Sequence, residues 1–296
     1  MQSRILLFII LVTAVVAGCN KISYRKTPGG LPYKLFPADD TQRVRPGNII
    51  KLNLLQKIND SVYYNSFDKL PLYFQIESGS QPYELSELWT RLEKGDSVIA
   101  TQMMDTFIKR NPQGIPPHFK KGDRIVTQVR ILDVFVNDSL AQLDRDRVQR
   151  EWLEKEISFV GNYLSQRKIN AQKTESGAFV EVLNPGVGEP IDSGNYVTIN
   201  YTGKTFSGKV FDSNVDTSFQ HAFPYSFVTG GGQMIRGFDE GVRALRKGAV
   251  ARIYVPSLLG YGADPRSPNI KPFDHLIFDV TILDVKEKAP DSPPVQ

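Results

Sequence analysis

Hydrophobic and polar positions alternate in three runs towards the end of the chain: Tyr196-Val197-Thr198-Ile199-Asn200-Tyr201, Ala251-Arg252-Ile253-Tyr254-Val255 and Leu276-Ile277-Phe278-Asp279-Val280-Thr281-Ile282-Leu283. A period of two with β-branched and aromatic residues predicts an antiparallel sheet with one buried face. Between the first two runs the pattern changes. A turn, Gly230-Gly231-Gly232, leads into Met234, Ile235 and Phe238, whose offsets of three and four place them on one side of a helix about two turns long. The expectation is a small sheet folded around one short helix.

The same pattern occurs earlier in the chain. Lys21-Ile22, Lys26-Thr27, Gly30, Gly47-Asn48 and Asn53 recur at one constant offset as Lys168-Ile169, Lys173-Thr174, Gly177, Gly194-Asn195 and Asn200. Further on, Arg91-Leu92-Glu93-Lys94-Gly95 matches Ala244-Leu245-Arg246-Lys247-Gly248, and Val129 to Val134 matches Val280 to Val285. Chance similarity does not hold register over such a length, so the chain carries two copies of one domain, residues 21–136 and 168–288.

The linker, residues 137–167, is rich in helix formers, and Ser139 with Gln142 three places on suggests a capping box. Leu153, Ile157, Val160 and Leu164 form one narrow apolar stripe among charged residues. A helix of about 28 residues would reach roughly 40 Å. The stripe suits a spacer packed against one domain; the alternative is a client-cradling arm or a homodimer seam. The proline-rich tail, residues 289–296, reads as disordered.

The beginning of the chain departs from this pattern. Arg4 precedes an apolar run from Ile5 to Ala17, about 13 residues against the roughly 20 needed to cross a bilayer, and Val16-Ala17-Gly18-Cys19 follows. This end resembles the signal peptide and lipobox of bacterial lipoproteins, which implies removal of residues 1–18 and acylation of Cys19. Such a protein would sit in the cell envelope, held in the lipid bilayer through Cys19, and Asn20 points to an outer membrane facing the periplasm. Cys19 is the only cysteine, so it forms no internal disulfide. A formal charge of +4 with 23% charged residues, and no basic block interleaved with aromatics, gives no reason to expect nucleic acid as a partner.

Five motifs of the second copy occur in order: Val197-Thr198-Ile199-Asn200-Tyr201-Thr202-Gly203, Gly208-Lys209-Val210-Phe211-Asp212-Ser213, Gly232-Gln233-Met234-Ile235-Arg236-Gly237-Phe238, Leu259-Gly260-Tyr261-Gly262 and Leu276-Ile277-Phe278-Asp279-Val280. Together they resemble the FKBP-type peptidyl-prolyl cis-trans isomerases. The resemblance implies an α+β fold: two FKBP-like domains, each an antiparallel β-sheet curled around a short α-helix, joined by a long α-helix. It implies a catalytic set of Tyr201, Asp212, Phe238, Tyr261 and Phe278, and a substrate-binding set of Phe211, Tyr225, Phe227, Met234, Ile235 and Ile270. Phe238 would be the pocket floor, with Tyr201, Phe211 and Phe278 as walls. The Ile235 N–H and the Tyr261 hydroxyl would bond substrate carbonyls, and Asp212 would orient Tyr201.

Three positions depart from the family. Phe238 stands where Trp is commonest, Tyr225 where Phe is common, and Arg266 where a histidine often sits. The loop from Ser213 to Phe223 is longer than usual and lacks the arginine that commonly pairs with Asp212. The first copy is degenerate: aligned on the repeat, Leu54 replaces Tyr201, Asn65 replaces Asp212, Leu85 falls at Phe238 and Thr127 at Phe278, while the tyrosine of the Tyr261 position is missing, Phe107 and Ile108 lying nearest. His118, His221 and His275 are scattered without ligand spacing, and Gly230-Gly231-Gly232 lacks the lysine of a phosphate loop, so neither a metal nor a cofactor is expected. The reading is a prolyl isomerase acting on proline-containing polypeptides of the envelope; the alternative is a non-catalytic chaperone or assembly subunit.

Overall fold

The computed structural model describes residues 24–115 and 119–289; Cys19 and its leader, His118 and the tail from residue 290 lie outside the described residues. The chain divides into two compact units, Met1–Asp146 and Arg147–Gln296.

In the first unit, β1 (Arg25–Lys26), β2 (Pro32–Phe36), β3 (Ile49–Ile58), β4 (Ser61–Asn65), β5 (Leu72–Gln75), β6 (Ser97–Met103) and β7 (Arg124–Phe135) form one sheet. Its order is β1-β2-β6-β7-β3-β4, with β5 also on β3, and every pairing is antiparallel. Ile50, Leu52, Val98, Val129 and Ile131 fill its core. A short helix, α1 (Met104–Arg110), follows β6. Where the sequence predicts a helix against the sheet there are two 3-10 turns, Leu85–Glu87 and Trp89–Arg91. The carboxylate of Glu87 accounts for this, because it accepts bonds from Thr27 Oγ1 at 2.6 Å, Gly29 N at 2.7 Å and Tyr83 N at 2.8 Å. These contacts tie the segment to the start of the domain, and Leu88 and Leu92 reach the core from it.

One continuous helix of 29 residues follows, α2 (Asp138–Gln166). Its cap differs from the expected Ser139: the Asn137 side chain accepts the Leu140 N–H at 3.0 Å.

In the second unit, β8 (Gln172–Lys173), β9 (Phe179–Asn184), β10 (Tyr196–Thr205), β11 (Val210–Ser213), β12 (Tyr225–Val228), β13 (Val250–Val255) and β14 (Leu276–Lys286) pair in the order β11-β10-β14-β13-β9-β8, with β12 also on β10. This is the first sheet's connectivity repeated. A short helix, α3 (Arg236–Arg243), lies on β13 with Phe238 and Val242 fully buried. The helix approaches closely because Gly237 and Gly241 face Val255 and Ile253, where an added Cβ would come within 2.6 Å of each side chain.

The alternation along β13 and β14 predicts one buried face, and here the structure adds a second. Ile253, Phe278 and Val280 point to the α3 core, whereas Tyr254 and Ile277 form a second cluster with Val160 and Leu164 of α2. Leu153 packs against the main core and Ile157 abuts Gly177, so the linker's apolar stripe is covered within its own unit. No helix among the described residues is long and apolar enough to cross a membrane.

Candidate active site

The site begins at the glycine turn. Gly230 and Gly232 have φ of 70° and 71°, in the left-handed region where a side chain is strained. The buried Asp239 of α3 holds this turn, its carboxylate accepting the Gly230 N–H at 2.9 and 3.1 Å, while Gln233 Oε1 accepts the Val228 N–H at 2.9 Å. Consequently Met234 and Ile235 precede the helix instead of forming its first turn, as the spacing suggests. Ile235 is extended, and its carbonyl accepts the N–H groups of Phe238 and Asp239, both at 3.1 Å. Its own N–H has no partner among the described residues.

Around α3 the aromatic side chains form one connected cluster. Phe238 lies 4.8 Å from Phe278, 6.2 Å from Phe227 and 6.3 Å from Tyr201, measured between ring centroids. Phe211 meets Phe278 edge-on at 5.7 Å and Tyr261 at 6.4 Å. Such contacts favour edge-to-face geometry and contribute about 0.5–1.5 kcal/mol each beyond area burial. Gly203 on β10 makes room for them: an added Cβ would lie 2.6 Å from the Phe211 ring and 3.0 Å from Phe278. Ile270 is buried in the same cluster, and Tyr201, Met234, Ile235 and Tyr261 pack against it, partly buried. Tyr225 stands at the rim, 38% exposed and 6.5 Å from Tyr201. Phe227 is 1% exposed, so of the predicted substrate contacts it sits deepest as core.

Polar groups enter this apolar space at two places. The Tyr201 hydroxyl donates to Asp212 Oδ2 at 2.7 Å. The other carboxylate oxygen of Asp212 lies 3.0 Å from His221 Nε2. The position left open by the missing arginine is therefore taken by a histidine from the long loop, a residue the sequence reading did not connect with the site. Burial first, and the adjacent Asp212 carboxylate second, raise the Tyr201 pKa well above the ordinary phenol range. Burial and then the Asp212 charge also raise Tyr261, against a smaller opposing effect of Arg266. Both phenols are neutral donors at physiological pH. Like the Ile235 N–H, the Tyr261 hydroxyl has no hydrogen-bond partner among the described residues.

The segment carrying Tyr261 is braced by α2. Glu156, 5% exposed, accepts from the Trp152 indole N–H at 2.8 Å, from the Leu258 N–H at 3.0 Å and from the Ser257 hydroxyl. Trp152 also meets Phe273 at 5.9 Å between centroids, and the Ser257 N–H donates to His275 Nδ1 at 3.1 Å. The Ser257 carbonyl in turn accepts the Gly260 and Gly262 N–H groups, both at 2.9 Å, which fixes the turn around Tyr261.

In the first unit the matching positions hold no such cluster. Thr127 is buried opposite Gln56, whose Nε2 donates to its Oγ1 at 3.4 Å, just as Phe278 stands opposite Gly203. The ladder also corrects the alignment at Asp212. Gly203 pairs with Asp212 and Gln56 with Tyr64, so Tyr64, not Asn65, is the equivalent residue, because the first hairpin is one residue shorter. Neither residue supplies a carboxylate, and Leu54 offers no hydroxyl.

Comparison with known proteins agrees with this geometry. A family described as "FKBP-type peptidyl-prolyl cis-trans isomerase" matches residues 188–283. A probable FKBP-type peptidyl-prolyl cis-trans isomerase of Haemophilus influenzae is 35% identical over 120 residues, 40% of this chain and 47% of that protein. An FK506-binding protein of Neisseria meningitidis serogroup B is 36% identical over 111 residues, 38% of this chain and 98% of that protein. A solved structure of FkpA from Escherichia coli matches 50% of this chain and 70% of its own at 28% identity, with a TM-score of 0.37. The chain spans 22% to 47% of the length of the longer relatives, among them FK506-binding protein 4 of Neurospora crassa at 25%. With nearly the whole Neisseria protein matched, and the match lying on the sheet, helix and ring cluster just described, the chain belongs to the family of FKBP-type peptidyl-prolyl cis-trans isomerases.

Proposed function

We propose that the second unit catalyses rotation about the peptide bond preceding proline in polypeptide substrates. The observation that carries this is the closed ring cluster on Phe238 with two unused donors, the Ile235 N–H and the Tyr261 hydroxyl, at its edge. Amide resonance sets a barrier of roughly 18–20 kcal/mol to this rotation. In the twisted amide resonance is lost and the carbonyl is less polar. An apolar cavity that excludes water therefore favours the twisted form over the planar ground state, with no nucleophile or metal. Binding that is stronger in the twisted state than in the planar one lowers the barrier, and each 1.4 kcal/mol of that difference is about tenfold in rate. Phe238, Phe211 and Phe278 would enclose the proline ring. Tyr261 and Ile235 would fix the carbonyls, and Asp212 would hold Tyr201 as a wall and place a negative charge beside the rotating amide.

The test is an isomerisation assay on a short proline peptide with the full chain and with a Phe238→Ala, Tyr201→Ala double variant. Loss of at least tenfold in kcat/KM is expected; equal rates for both proteins would sink the isomerase reading. Retained suppression of client aggregation by the double variant, with wild-type rates no higher than those of the variant, would instead favour the chaperone reading. That alternative draws its support from the first unit, which keeps the sheet but has Leu54, Tyr64 and Thr127 where the second has Tyr201, Asp212 and Phe278. The proposed clients are envelope proteins, a reading that rests on the apolar run from Ile5 to Ala17 and the lipobox-like Val16 to Cys19. Metabolic labelling with a radioactive fatty acid, abolished by Cys19→Ala, is the expected result for a lipid anchor.

A further inference from the structure

The loop between β11 and β12 is a built element. The buried Asn214 accepts the Tyr201 N–H at 2.6 Å and donates to the carbonyls of Ile199 at 2.9 Å and Phe223 at 3.0 Å, tying both ends of the loop to β10. The Asp216 side chain caps a 3-10 turn, Thr217–Phe219, by accepting the Ser218 N–H at 2.9 Å. Gln220 then adopts the left-handed conformation, φ 60°, which reverses the chain and brings His221 back over Asp212.

We infer that His221 is a positioning residue for the isomerase site, holding the Asp212 carboxylate against Tyr201 through the contact of its Nε2 with Oδ1. This rests on the isomerase reading above and deepens it. The three groups form one chain, with the Tyr201 O–H donating to Oδ2 at 2.7 Å and His221 Nε2 lying 3.0 Å from Oδ1 of the same carboxylate. Asp212 so held cannot rotate away from the wall tyrosine.

A histidine in this place makes the hold depend on pH. Only the imidazolium makes a charge-assisted contact with the carboxylate. The groups that share this field are Asp212 on β11, Tyr201 on β10, Tyr225 on β12, and Tyr261 and Arg266 on the segment after β13. Arg266 lies 3.6 Å from Asp264. On its own loop His221 meets the Phe219 ring at 6.4 Å. With His221 and Asp212 41% and 36% exposed, solvent limits the effect to that of a surface pair, about two- to fivefold in kcat/KM.

The test compares the full chain with His221→Gln and His221→Arg in an assay without a coupling protease, on one proline peptide, from pH 5.5 to 8. Wild type is expected to gain about two- to fivefold as the pH falls. The glutamine variant should stay flat near the wild-type value at pH 8, and the arginine variant flat near the value at pH 5.5. His275 is present in all three proteins, so the differences between them report His221 alone. A glutamine variant that follows the wild-type profile, or an arginine variant that retains the pH response, overturns the inference while the isomerase reading stands. Wild type without catalysis at any pH removes the isomerase reading and this role with it.

Discussion

Glu156 is the point at which the linker helix acts on the site, and its removal has a calculable cost. Its carboxylate serves three donors, the Trp152 indole, the Ser257 hydroxyl and the Leu258 N–H, in a place only 5% exposed. Each buried donor left unmade costs about 1–3 kcal/mol, partly recovered by relaxation and entering water, so Glu156→Ala should destabilise the second unit by about 3–5 kcal/mol. Glu156→Gln keeps the shape but sets an NH2 group against a donor, for about 1–3 kcal/mol. The chain has two tryptophans, Trp89 in the first unit and Trp152 in the second, so a Trp89→Phe background leaves the fluorescence of the second unit alone. With a urea dependence of about 2 kcal/mol per molar, the midpoint should fall by about 1.5–2.5 M for alanine and about 0.5–1.5 M for glutamine. Because Ser257 anchors the turn around Tyr261, kcat/KM should fall in both variants at urea-free conditions where they remain folded. Midpoints within about 0.3 M of the parent for both variants would refute the reasoning.

Three further outcomes are expected. Gly203→Ala places a methyl within 2.6 Å of Phe211, so the wall must shift; about 1–3 kcal/mol of stability and a larger share of kcat/KM should be lost, and unchanged kinetics would show that the wall is not used. Burial lowers the His275 pKa, against the smaller opposing charges of Glu156 and Asp274. The folded state therefore favours the neutral ring that accepts the Ser257 N–H. The resulting stability is present above the unfolded value near pH 6.5 and is lost as the pH falls through the folded value; a His275→Asn variant should lack this acid-side loss in a Trp152-detected urea series. In the first unit, Thr127→Phe alone should destabilise by about 1–3 kcal/mol, since Gln56 fills the place that Gly203 leaves open. Adding Gln56→Gly should recover part of that, a coupling that a double-mutant cycle measures.

The pocket's rings were legible through the resemblance of five motifs to a known family, while alternation along β10 and β14 gave the strands that carry Tyr201 and Phe278, and the glycine turn marked the entry to α3. That helix starts two residues later than the spacing of Met234, Ile235 and Phe238 predicts. Spacing alone cannot show that Ile235 is extended, because that depends on Asp239 reaching back to Gly230. The repeat was legible in its strands and blurred in its hairpins, where one missing residue moved the Asp212 equivalent from Asn65 to Tyr64.

The residues that escaped the sequence reading, His221 and Glu156, share a physical reason. Their partners are set by chain reversals and by packing between distant segments, not by periodicity. His221 reaches Asp212 only because Gln220 adopts φ 60° and Asn214 pins the loop ends, and nothing in the spacing of Asp212 and His221 encodes either condition. Glu156 sits beside Ile157 of the stripe, among charged residues that pattern assigns to solvent, and two of its three partners, Ser257 and Leu258, lie more than a hundred residues away. Both lie outside the ring cluster and reach its proposed catalytic residues indirectly, Glu156 through the turn that presents Tyr261 and His221 through the carboxylate bonded to Tyr201. In the proposed mechanism the rings select the bond that is gripped, and these two contacts set how firmly the surrounding segments hold their geometry. Variation at positions 156 and 221 should therefore tune rate and pH response while leaving the pocket's shape for proline intact.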